Sequence, residues 1–145
     1  MLLQNSLLRG MLITIGFSGN LYGQHSMSDD SPIRIKTLLE QCGGNIEIGE
    51  VVLDEFLLQI VTDIQEIETC LANGDLLQAG RVGHRLKGTA GVLGADKMRS
   101  ICLSLETAGK SENAEETGKT FLELKAEADR CVAAVPEARI QLQST

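Results

Sequence analysis

With 145 residues, 43% of them hydrophobic and 3% aromatic, the chain is long enough for one domain with a real core and too short for two comfortable ones. Its formal net charge of −7 argues against nucleic acid as a partner, because phosphate backbones attract basic surfaces. No apolar run reaches the ~20 residues of a membrane span, and a composition with two prolines and few β-branched clusters points to an all-helical fold.

Residues 1–27 differ from everything that follows, with one charge (Arg9), no acids and the single tyrosine, Tyr22. Met11–Phe17 is a short apolar run behind Arg9, as in a signal peptide, but the nearest small-x-small triplet, Gly16-Phe17-Ser18, overlaps that run. The expectation is a poorly ordered extension, cleaved or left untranslated, with Met27 beginning the domain proper.

From Ser31 the pattern is helical. A short cover helix is expected over about Pro32–Gln41, with proline near its start, where a missing N–H costs nothing, and Gly43-Gly44 at its stop. Asn45 is placed to cap a long helix to about Ala72. Its apolar residues Leu53, Phe56, Leu57, Ile60, Ile64, Ile67 and Leu71 form one stripe. Asn73-Gly74 breaks the chain, and Asp75 with Gln78 makes a capping-box pattern.

The next helix spans Leu76 to about Leu93 and is interrupted by Gly94. A further helix carries Met98, Ile101, Cys102, Leu105 and Ala108 on one side and is expected to end at Gly109. Asn113 and Glu116 open the last helix, with Phe121, Leu124, Ala128, Cys131 and Val135 in register, and Pro136 is expected to end it. Short connections between long amphipathic helices make antiparallel neighbours. The prediction is an all-α, up-down four-helix bundle with a short N-terminal cover helix, occupying residues 31–137, and a tail over 138–145.

Cys42, Cys70, Cys102 and Cys131 lie about thirty residues apart without a C-x-x-C pair, and each falls near the apolar stripe of its segment. They read as small buried hydrophobes in a reducing compartment rather than as zinc ligands or a disulfide framework. Charge is segregated. Nine acidic residues and no Lys or Arg lie between Thr37 and Gly80, whereas Arg81, Arg85, Lys87, Lys97, Arg99 and Lys110 face only Asp96 and Glu106 in the next thirty positions. A positive patch on an acidic protein suits an anion or an acidic surface, although a solvated helix face would look the same.

The stretch GRVGHRLKGTAGVLGA, residues 80–95, holds five glycines in sixteen positions. Each costs a helix interior about 1 kcal/mol relative to alanine. On a wheel turning about 100° per residue, Val82, Leu86 and Leu93 fall opposite His84, with Ala79 and Ala90 on the same core half. Gly80 and Gly88 lie within about 40° of His84, Gly91 within about 20°, and Arg81 and Lys87 at about 60° on either side. The imidazole therefore points away from the core, on a strip short of side-chain bulk and cleared for docking.

Other readings of this stretch fail. Lys87 precedes Gly88, so no Walker loop forms, and Gly88-x-x-Gly91-x-x-Gly94 is not a dinucleotide fingerprint. A metal would need more ligands than His84 and the remote His25. A hydrolase would need a nucleophile, and nothing selects Ser100 or Ser104. An accessible imidazole, with an unperturbed pKa near ~6.5, is a nucleophile toward phosphorus at neutral pH. Flanking cations then neutralise charge on the transferring group.

His84-Arg85-Leu86-Lys87-Gly88, followed by Leu93-Gly94-Ala95, resembles the H-x-L-K-G…LGA signature of histidine-containing phosphotransfer (HPt) domains. The resemblance runs from about Ile35 to Val135. It takes in Leu38-Leu39-Glu40-Gln41-Cys42-Gly43-Gly44, Asn73-Gly74-Asp75 and Cys102-x-x-Leu105-Glu106-x-x-Gly109. It implies a four-helix bundle whose histidine takes a phosphoryl group from a receiver-domain aspartate and passes it to another. His84 is then the phospho-acceptor, Lys87 the residue that steadies the phosphoryl group, and Gly88 the one that keeps the approach open. Glu106 stands where the family often places a hydrogen-bond partner for the histidine, although pairing with Lys110 at i+4 would explain it equally.

Arg81 and Arg85 are candidates for phosphate or receiver contacts from the wheel alone, and Val92 for an apolar docking contact. Gly83 stands where the family more commonly has alanine, a change expected to loosen the helix slightly without touching chemistry. The implied partners are response-regulator receiver domains and a hybrid sensor histidine kinase, with no cofactor of the chain's own and Mg²⁺ only in the receiver. The expected protein is a cytoplasmic monomeric carrier, neither a kinase nor membrane-bound. The alternative is a module that binds a receiver and regulates it without carrying phosphate.

Overall fold

The computed structural model describes residues 31–145. Five helices follow in order: α1 (Ile35–Gln41), α2 (Ile46–Ala72), α3 (Leu76–Leu93), α4 (Asp96–Lys110) and α5 (Ala114–Gln143). Helices α2 to α5 form the expected antiparallel bundle, packed in a ring in which α3 touches α2 and α4, and α5 lies diagonally across from it. The expected N-terminal extension lies outside the described residues.

The helix starts follow the caps read from sequence. Asn45 accepts from the Ile48 N–H at 3.0 Å, Asp75 from Gln78 at 3.2 Å, and Asn113 from Glu116 at 3.0 Å. The capping box at Asp75 is half made, since the Gln78 amide donates to Glu66 on α2 instead of reaching back. Gly94 closes α3 in the left-handed region at φ 66°, where it lets the chain turn at once into α4.

The core stripes agree with the wheel. Leu53, Phe56, Ile60 and Ile67 of α2, and Ala79, Val82, Leu86, Ala90 and Leu93 of α3, are buried. They meet Met98, Cys102 and Leu105 of α4 and Leu124, Ala128, Cys131 and Val135 of α5. All four cysteines are free and buried. Burial pushes the Cys102 and Cys131 thiols up to about 12, which keeps them protonated and inert.

Three boundaries differ from the expectation. The cover helix starts at Ile35 rather than Pro32, because Ile33 is buried and the Arg34 N–H is committed to the Leu93 carbonyl at 3.1 Å. Gly109 does not end its helix; it sits inside the last turn of α4 against Gly80, and the left-handed residue is Glu112.

Pro136 does not end α5 either. The helix runs through it to Gln143, so residues 138–143 are structure and not tail. A proline inside a helix forfeits one ladder hydrogen bond, but the far side is anchored. Ala138 and Leu142 are buried, Leu142 packs on Gly49, and Arg139 pairs with Glu50 at 2.7 Å and with Asp54.

Candidate functional site

His84 emerges from the middle of α3 on the side away from the core, its side chain 66% exposed. Its Nδ1 lies 2.8 Å from Oε2 of Glu106 on α4, which is itself almost buried. Lys87, one turn further along α3, donates to the other oxygen, Oε1, at 2.8 Å. Lys110 reaches Oε2 from the end of α4 at 3.4 Å. One carboxylate thus collects an imidazole and two ammonium groups.

The hydrogen bond from Lys87 is the main reason the Glu106 carboxyl is held down to about 2. Burial opposes the shift, and the bond to His84 adds to it. Glu106 is therefore ionised and acts only as an acceptor, so the ring nitrogen facing it must carry the proton. In the neutral ring the lone pair is then on Nε2, the nitrogen turned from Glu106.

Two glycines bring the carboxylate to the histidine. A Cβ on Gly109 would stand 2.6 Å from the Leu76 carbonyl oxygen and 2.8 Å from the Gly80 Cα. A Cβ on Gly80 would meet the Glu106 carbonyl oxygen at 3.2 Å. The α3 and α4 backbones approach through this pair, and Glu106 rides one turn from it. Gly83 belongs to the same seam, with a Cβ there 3.2 Å from the Leu105 side chain and 3.3 Å from the Cys102 carbonyl. The strip beside His84 is thus only partly a cleared surface. Gly80 is sealed between helices, Gly91 lies beside the Arg99 side chain at 3.8 Å, and Gly88 alone of the three has nothing within 4 Å of its Cβ position.

On the N-terminal side of the histidine, Leu77, Gly80, Arg81, His84, Glu106 and Lys110 line an open cleft of about 350 Å³. Arg81 is there as the wheel placed it, with Nη1 3.3 Å from the Gln78 side-chain oxygen. Arg85 is not. Its Nη2 donates to Asp63 at 2.6 Å and Glu66 at 2.9 Å on α2, so it ties the two helices together instead of facing the imidazole. Val92 is half-buried against the core.

The basic patch is paired in part. Lys97 reaches Glu127 at 3.7 Å, and Lys87 and Lys110 share Glu106. Sequence reasoning read Lys110 as an i+4 partner of Glu106 in place of the histidine contact, and the structure has both together. It missed Asp63, a buried carboxylate inside an apolar stripe, for which Arg85 at about 100° from His84 was the available signal. Among the described residues no group of three His, Cys, Asp or Glu side chains is arranged to hold a metal ion.

A helical bundle that presents one exposed histidine, backed by an ionised carboxylate and flanked by lysines, defines a carrier of anionic groups rather than an enclosed active site. The Hpt domain model matches residues 51–134, more than half of the chain, and the chain belongs to that family of phosphotransfer carriers. It is also 32% identical over 63 residues to Multistep phosphorelay regulator 1 of Schizosaccharomyces pombe. That match covers 43% of this chain and 21% of the relative. No solved structure matches to a significant degree.

Proposed function

We propose that the protein is a phosphorelay intermediate that accepts a phosphoryl group on Nε2 of His84 from a receiver-domain aspartyl phosphate and returns it to another receiver aspartate. The observation that carries the reading is the 2.8 Å bond between Nδ1 and Glu106, because it fixes the tautomer and leaves Nε2 the nucleophile. The Nε2 lone pair forms the N–P bond as the P–O bond to the partner's aspartate breaks, and that aspartate leaves as a carboxylate. Nδ1 keeps its proton, so the ring becomes cationic, and Glu106 stabilises that charge. Transfer to the second aspartate is the same step reversed.

Lys87 has two roles in this scheme: it keeps Glu106 ionised, and its ammonium, one turn along α3 from His84, would offset charge on the transferring group. Gly88 leaves room for the partner's backbone. Magnesium belongs to the receiver, and the chain itself supplies position and charge. On this reading the protein works beside its receiver partners in the cytoplasm; no described helix is long and apolar enough to cross a membrane.

The test is transfer from a panel of phosphorylated receiver domains to wild type and His84→Gln. Acid-labile, base-stable label on wild type alone supports the reading. Receiver binding without label on either protein would make the chain a docking regulator instead. Nitrogen-15 spectra of the phosphorylated ring identify the bonded nitrogen, and phosphate on Nδ1 would contradict the role given to Glu106.

A further inference from the structure

The three donors around Glu106 are not equivalent. Lys87 is mostly covered, 24% exposed, and holds Oε1 to itself at 2.8 Å. Lys110 is 72% exposed, has the longest of the three contacts at 3.4 Å, and shares Oε2 with the imidazole. It also lines the cleft that His84 opens onto, together with Arg81. An exposed, four-carbon ammonium held by one long ion pair costs little to move.

Phosphorylation changes the competition for Oε2. The ring gains a positive charge, so Nδ1–H makes a stronger, charge-assisted bond to that oxygen. At the same moment a phosphoryl group with two negative charges appears on Nε2, beside the cleft. Lys110 then has a weaker claim on Glu106 and a stronger anion within its reach, whereas Lys87 keeps an oxygen of its own.

We propose that Lys110 is a second phosphoryl-binding cation, stored on Glu106 in the unphosphorylated protein and released to the phosphoryl oxygens as the ring becomes cationic. This rests on His84 being the phosphorylated residue. Glu106 then works in both states, holding the cation next to the site beforehand and the imidazolium afterwards. No bond beyond the N–P and P–O pair is made or broken; one ion pair is exchanged for another.

The experiment compares wild type, Lys110→Gln, Lys110→Arg and His84→Gln in transfer from a phosphorylated receiver and in the lifetime of the phosphohistidine. Thermal unfolding and nitrogen-15 spectra of the unphosphorylated His84 ring are recorded for each. Lys110→Gln is expected to slow transfer roughly tenfold and to shorten the lifetime, an effect below that of a buried oxyanion donor because the lysine is solvated. Lys110→Arg restores both. The unphosphorylated ring spectrum stays that of wild type, and the melting temperature moves by no more than about 2 °C, as for an exposed ion pair.

Transfer and lifetime of Lys110→Gln within twofold of wild type overturn the proposal. So does a changed ring spectrum that accompanies the loss, since the lysine would then act by orienting Glu106 and not on the phosphoryl group. Label persisting on His84→Gln is a different failure: it removes the phosphorylation site, and the proposed function with it.

Discussion

Gly88 offers the sharpest separation of stability from function. It lies in the middle of α3 with ordinary helical φ, and a Cβ there has nothing within 4 Å. Alanine is worth about 1 kcal/mol over glycine in a helix interior, and with no clash to subtract, Gly88→Ala should stabilise the protein by about that amount. For a domain of about a hundred residues this raises the melting temperature by roughly 4 °C. The same methyl lies about 40° from His84 on the helix surface, one turn along, where a partner backbone must approach. A displacement of about 1 Å in a transfer geometry can cost up to a hundredfold, so transfer from a phosphorylated receiver should fall at least roughly tenfold.

Gly118→Ala is the control. It too has open space at its Cβ position and sits on α5, diagonally opposite α3. It should gain similar stability and transfer normally. Urea unfolding and single-turnover transfer on the three proteins decide the matter. A stabilised Gly88→Ala that transfers at the wild-type rate would show that the glycine is not kept for access, and a destabilised one would show that the surface there is not open.

Further outcomes follow from the same geometry. Gly109→Ala must force backbone apart, since its Cβ would stand 2.6 Å from the Leu76 carbonyl oxygen, and a loss of about 3 kcal/mol in chemical denaturation is expected, with reduced transfer because Glu106 moves with the seam. Glu106, held down to about 2, binds its proton more readily when unfolded, so its contribution is full above about pH 4.5 and is lost as the pH falls toward 2. The gap in stability between wild type and Glu106→Gln should therefore be at most about 3 kcal/mol at pH 7 and shrink steadily below pH 4.5. Arg85→Met leaves Asp63 buried without its cation and should cost about 3 kcal/mol, with transfer by the folded fraction unchanged. Leu142→Ala should cost about 2–3 kcal/mol by calorimetry, because the residue is fully buried beyond Pro136.

The long helices were legible because each carries one apolar stripe, and α2, α3 and α5 also carry a side-chain cap, both local features of the sequence. His84 was legible by its position opposite Val82, Leu86 and Leu93. What could not be read from one helix at a time was whatever depends on two. Gly80 and Gly88 are equivalent on the wheel, and only the packing of α4 shows that one is closed by Gly109 while the other faces solvent. Arg85 looked available until Asp63 and Glu66 were brought beside it from α2. Pro136 looked like a stop because its cost is local, whereas the burial of Leu142 and the pairs made by Arg139 come from α2.

Helix α3 is packed by α2 and α4 along its length and by α1 at its C-terminal end, with α5 diagonally across, and the face that carries His84 is left bare. The imidazole stands well exposed at the edge of an open cleft, not inside a closed one. An open cleft does not close over the ring, so water is excluded only while a partner is seated on it, and on the proposed reading the hand-over is quick only inside that complex. Discrimination among partners then rests with the rim each one brings. One open face can serve several such rims in turn, as an intermediate that both takes and gives a phosphoryl group requires on the proposed reading.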